Sequence, residues 1–169
     1  MDHQQLFQAA RPTFYLIITD ADSFDDLFRR LRSEYADHDV NVWKIRGTKS
    51  STREGFFDEI GAVLQFPHYF GENWDALRDI FYDMGWLPGT LLMIPAAEQL
   101  LAASDPQDFR NWVELMDTCN RFYLQPPYAA STTSDTGFHV LLQTTPARQA
   151  LLEQRLQAAG AEFELVPPD

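Results

Sequence analysis

The order of β-rich runs and amphipathic helical stretches predicts an α/β fold built on a mainly parallel sheet. Three observations carry that expectation. Short apolar runs at 13–19, 40–47, 89–95, 138–145 and 161–166 each read as a strand. Stretches of helical periodicity separate them, and a helix between strands is how parallel neighbours are joined, with right-handed crossovers. Two helical stretches in a row, 52–65 and 73–84, break the alternation and give the sheet one unusually long connection.

Taken in order, "TFYLIIT" is the first strand, and "FDDLFRRLRSEYA" sets Phe24, Leu27, Phe28, Leu31 and Tyr35 at helical spacing, with Ser23 as the expected N-cap. "VNVWKIRG" alternates as a second strand. The following helix opens on an expected capping box, Ser51 to Glu54, and buries Phe56, Phe57, Ile60, Val63 and Leu64. Pro67 and Gly71 then supply turn chemistry before a helix capped by Asn73 and ended near Gly85. "GTLLMIP" is a short buried strand. The next helix, 106–125, places Phe109, Trp112, Val113, Met116 and Cys119 on one stripe, and a polar loop of twelve residues, 126–137, follows it. After the strand "FHVLLQTT", a helix with Pro146 in its first turn and Gly160 past its end leads to the last strand, "AEFELV".

At 169 residues and 45% hydrophobic composition the chain is long enough for one well-buried core, so a single domain over 1–169 is expected. Thirteen Lys and Arg stand against 25 Asp and Glu, a formal net charge of -12. Such a surface repels nucleic acid and anionic lipid and draws basic partners. The one cysteine, Cys119, has no internal partner for a disulfide and sits in a helical pattern, which fits a cytoplasmic protein. No run reaches the length of a membrane span, and the start lacks a basic segment followed by an apolar one. No nucleic-acid or membrane partner is expected.

The helix after Asn73 carries the most informative pattern. On a helical wheel, Trp74, Leu77, Ile80, Phe81 and Met84 share one side, while Asp75, Asp79 and Asp83 form a row on the other. Packing therefore aims three carboxylates at solvent, and each like-charged pair four residues apart costs a few tenths of a kcal/mol. Arg78 relieves part of it. Tyr69, Phe70, Trp74 and Trp86 gather at the ends of the helix, and aromatic anchors beside charges that lack cations describe an interface.

"LQFPHYFGENWDALRDIF" resembles the central segment of the barstar family, cytoplasmic inhibitors of barnase-type ribonucleases. Fourteen consecutive positions, Pro67 to Ile80, align with its hallmark of Pro, two aromatics, Gly-Glu-Asn, a large apolar residue, Asp-Ala-Leu, a variable position and Asp. "VWKIRGTKSSTREGFFDEIGAVLQF" is similar to the family's first strand and helix. The resemblance implies a three-layer barstar-like fold whose three core strands lie within about 40–143. The segments 1–39 and 146–169 then form extensions that add strand and helix elements to the sheet. It also implies a partner, a basic extracellular-type ribonuclease or related toxin, and a free protein that is monomeric. Tyr69, Gly71 and Asn73 correspond to loop contacts, Asp75 and Asp79 to the aspartates that meet the enzyme's phosphate-binding cations, and Trp86 to a tryptophan after the helix. Trp74 joins them as an aromatic at the helix start. Arg78 stands where the namesake carries tryptophan and puts a cation at the rim of an interface meant for a basic enzyme. A further acidic contact on the next long helix falls on Glu114 or Asp117.

No metal or cofactor is expected, and no enzyme. Aspartates at successive helical turns sit about 6 Å apart and do not close a first shell, and no histidine pair completes one. His3, His38, His68 and His139 are scattered singly, and no phosphate-binding glycine loop or nucleophile elbow is present. The competing reading keeps the fold and changes the target to a non-ribonuclease toxin or another basic protein.

Overall fold

The computed structural model describes residues 12–36, 40–83, 89–123 and 137–168. Its elements are β1 (Phe14–Ile18), α1 (Ala21–Glu34), β2 (Asn41–Lys44), α2 (Arg53–Val63), α3 (Trp74–Asp83), β3 (Thr90–Ile94), a 3-10 turn at Ala97–Gln99, α4 (Pro106–Tyr123), β4 (His139–Thr144), α5 (Gln149–Ala158) and β5 (Phe163–Val166). All five strands run parallel in the order β2-β3-β4-β1-β5. The expected α/β class, parallel sheet and extension strands are all present.

Three helix starts differ from the expected ones. Asp20, not Ser23, caps α1: its carboxylate accepts the Ser23 amide at 2.9 Å and the Ser23 hydroxyl at 2.8 Å. Ser23 is thus the third residue of the capping turn rather than its first, because a carboxylate there also meets the positive end of the helix dipole. Thr52, not Ser51, caps α2 through the Gly55 amide at 3.1 Å, since the Ser51 carbonyl is held outside the helix by the Ala103 amide at 2.9 Å. α5 starts at Gln149, because the Arg148 amide bonds the Thr145 carbonyl at 3.0 Å and turns Pro146 into a β-turn residue.

Strand alternation divides the core in two. Phe14, Leu16, Leu92, Ile94, Val140 and Leu142 face the layer made by α2, α3, α4 and α5, while Tyr15, Ile17, Leu91, Met93 and Leu141 face α1 alone. Connection handedness dictates this division. The steps β2 to β3, β3 to β4 and β4 over β1 to β5 all run one way across the sheet, with their helices on the first face. The step from β1 back to β2 runs the other way, so its helix must cross on the opposite face.

The two extensions complete the sheet. β1 pairs with β4 on one side, Phe14 opposite Val140, and with β5 on the other, Phe14 opposite Phe163. β4 is buried along its whole length and so cannot serve as an open edge; the N-terminal strand covers it and the C-terminal strand covers that in turn.

Candidate functional site

The site begins with the loop that precedes α3. Gln65 and Glu72 both adopt left-handed backbone, φ 56° and 47°, and bracket the segment between them. The Phe70 amide closes a turn on the Pro67 carbonyl at 2.9 Å. Phe66 and Phe70 meet edge to face at 5.0 Å, and Phe70 also meets Phe57 at 5.9 Å, so both rings anchor the loop inward. Tyr69, between them in sequence, is left 74% exposed. The loop holds an aromatic ring in water without burying it.

Asn73 caps α3 as expected. Its Oδ1 accepts the Ala76 amide at 2.9 Å, and its Nδ2 donates to the Gly71 carbonyl at 2.9 Å. A Cβ added at Gly71 would lie 3.0 Å from that Nδ2 and 3.5 Å from the Ala76 Cβ, so a side chain there would press on the Asn73 amide. Asn73 and Gly71 therefore shape the loop, whatever else they touch.

Trp74 is packed inward. Its ring stacks on Phe56 at 5.5 Å and meets Phe57 edge-on at 5.1 Å, and its Nε1 donates to Asp108 Oδ1 of α4 at 2.8 Å. Its ring and polar atom both serve to fasten the first turn of α3 to α2 and α4. Leu77 and Phe81 are fully buried one and two turns on, and Ile80 is half-buried. Burying Leu77 and Phe81 contributes about 3–6 kcal/mol together. The aspartate row, two like-charged pairs, costs up to about 1 kcal/mol. Packing dominates, so the acidic face is tolerated although α3 sets only Arg78 against its three acids.

That face is exposed as the pattern requires: Asp75, Asp79 and Asp83 all face solvent. Arg78 pairs with Asp75 at 3.0 Å. Among the described residues Asp79 and Asp83 have no cationic partner. Between the loop and the helix runs a groove of about 370 Å³ whose half-buried lining, Pro67, Phe70, Ala76 and Ile80, is apolar and whose exposed lining is Tyr69 and Gly71 with Asp79 and Asp83. The periodicity of the sequence carries no sign of this groove, because it forms only when the loop folds back along α3.

Trp86 lies outside the described residues, as does the loop at 126–136. The two candidates for an acidic contact on α4 are set apart from the α3 face. Asp117 accepts the Thr13 hydroxyl at 2.9 Å and pairs with Arg121 at 3.1 Å, and with Glu114 it lines a crevice toward Ala159 to Glu162. Burial pushes the Cys119 thiol up to about 12, which removes it as a nucleophile. No group of three His, Cys, Asp or Glu among the described residues could hold a metal ion, and no described helix is long and apolar enough to cross a membrane. The turn after β1, where a P-loop fold carries its phosphate cradle, here reads Thr19-Asp20-Ala21-Asp22, acidic and without glycine.

No curated protein matches the chain. A solved structure described as "Structure of Drosophila ORC bound to GC-rich DNA and Cdc6" matches at a TM-score of 0.53 and 10% identity, over 96% of this chain and 26% of that one. The chain thus spans about a quarter of its structural neighbour, and the likeness is one of fold alone. The profile of the family described as Barstar (barnase inhibitor) matches residues 40–143, from the start of β2 into β4, and includes the whole of the loop and of α3. The chain belongs to the Barstar (barnase inhibitor) family.

Proposed function

We propose that this protein is an inhibitor that docks its α3 face and preceding loop into the active site of a basic ribonuclease and excludes RNA from it. The observation that carries the reading is the pairing of a 74% exposed Tyr69 with solvent-facing Asp79 and Asp83 on a helix buried on its other side. A ribonuclease holds RNA by cations that grip phosphates. Carboxylates fixed on a rigid helix offer those cations the same charge, and each pair desolvated on docking becomes a strong charge-assisted hydrogen bond. The net charge of -12 steers a basic enzyme toward the surface at low salt. Tyr69, Gly71, Asn73, Asp75, Arg78 and Asp79 form the contact face, with Trp74 beneath it. Inhibition needs no catalysis by the inhibitor and no cofactor, and a cytoplasmic monomer of one domain suits it.

The test is inhibition of a purified barnase-type ribonuclease, followed by cleavage of a fluorescent RNA at two salt concentrations. Asp79→Ala weakens inhibition by about 30-fold or more, the cost of leaving a buried cation unpaired. Asp22→Ala, in the first turn of α1 on the other face of the sheet, leaves it unchanged. Inhibition that ignores both salt and Asp79 would overturn the docking face.

One observation favours a second target class. Arg78 stands within the ridge and is tied to Asp75, so the face is not uniformly negative. A barstar-like module that neutralises a non-ribonuclease toxin or another basic protein accommodates this cation. Recovery of a partner without ribonuclease activity, bound through Asp79, would select that reading.

A further inference from the structure

Resting on the α3 docking face proposed above, we infer that Asp83, together with Asp79, forms a guanidinium site at the mouth of the groove behind Tyr69. One arginine side chain of the partner occupies it. The working carboxylate pair is thereby moved one helical turn toward the end of α3. Three observations converge on this. Asp75, the first acid of the row, already holds Arg78 at 3.0 Å, whereas Asp79 and Asp83 have no cation among the described residues. Both line the groove between the loop and α3, and Asp75 does not. The groove's half-buried lining is apolar, Pro67, Ala76 and Ile80 among it, so it can take an aliphatic stem but leaves a charge at its mouth to the two acids.

Arginine fits these features better than lysine. Its three-carbon stem covers apolar surface while the head stays at the rim. Its planar fork can satisfy two carboxylates about 6 Å apart at once, and its face can lie on the exposed Tyr69 ring. A lysine ammonium is a point charge that engages one acid and stays hydrated. The partner this groove selects therefore presents an arginine on a convex surface.

The isolated protein can be tested with a small probe, N-acetyl-arginine amide, titrated into the labelled full chain at low ionic strength and followed by the amide resonances. The expected result is a saturable shift centred on Tyr69, Ile80 and Asp83. The matching lysine and norleucine amides bind at least about fivefold more weakly, and Asp83→Asn weakens the arginine probe by a similar factor, while Asp22→Asn changes nothing. Equal binding of the lysine and arginine probes, an unaffected Asp83→Asn variant, or shifts centred on Asp75 would overturn the inference. Its failure is separable from that of the inhibitor reading. Ribonuclease inhibition that survives Asp83→Asn sinks the arginine groove alone, whereas arginine binding as expected without inhibition of any ribonuclease sinks the enzyme target and leaves the groove standing.

Discussion

Trp74→Phe separates a residue that positions the docking face from one that touches the partner. The indole Nε1 donates to Asp108 Oδ1 at 2.8 Å, and Asp108 is only 8% exposed. Phenylalanine keeps the ring contact with Phe56 and Phe57 but removes the donor. A buried carboxylate that loses such a partner costs about 1.5–3 kcal/mol, and the smaller ring leaves a void worth about 1 kcal/mol more. The expected loss is about 3 kcal/mol, which for a chain of this size lowers Tm by about 6–12 °C. Asp108→Asn retains an acceptor at the same place and should cost less than about 1 kcal/mol. Urea unfolding followed by far-UV circular dichroism measures both, free of the lost tryptophan signal. Well below its Tm, Trp74→Phe should inhibit within about threefold of the parent, since it changes no surface charge. A variant that is as stable as the parent, yet loses inhibition tenfold or more, would refute the inward role assigned to Trp74.

Three further outcomes test other parts of the structure. Arg78→Ala frees Asp75 and removes the one cation of the ridge, so association with a basic ribonuclease should quicken and its salt dependence steepen in stopped-flow measurements; slower association would mean that Arg78 meets an acid of the partner. Glu72 sits at φ 47°, so Glu72→Gly should be neutral or stabilising by up to about 1 kcal/mol while Glu72→Val destabilises by about 1–2 kcal/mol, compared by urea midpoints. Hydrogen bonds from the Arg46 side chain, at 2.7 and 2.8 Å, hold the mostly buried Glu59 below its usual value of 4.5. Because the folded state lowers that pKa, the contribution is in place above the unfolded value and is lost as pH falls through the lower native one; the stability gap between the parent and Glu59→Gln should be level near neutrality and close below about pH 4.

What could be read from the chain and what could not divides along the range of the forces involved. The type and place of each strand and α-helix follow from local patterns, though not the 3-10 turn at Ala97–Gln99: a period of two or 3.6, Asn73 ahead of α3, and an apolar stripe opposite Asp75, Asp79 and Asp83 that survives into the fold as buried Leu77 and Phe81. Helix starts were less legible, because Asp20 competes with Ser23, and Thr52 with Ser51, at separations of a few residues, and long-range bonds such as that from Ala103 decide between them. Trp74 shows the limit for single residues: its place on the wheel allows rim or core, and Phe56, Phe57 and Asp108, the last 34 residues away, draw it in. Strand order lies further beyond local pattern, since nothing in "TFYLIIT" says that it will slot between β4 and β5. That order comes from covering the buried strand β4 while keeping one handedness in every crossover. Composition and periodicity thus determined by themselves that an acidic helix face would point to water. Tertiary structure alone decided that a folded-back loop would make a groove beside Asp79 and Asp83, because side chains apart in the chain meet only through packing.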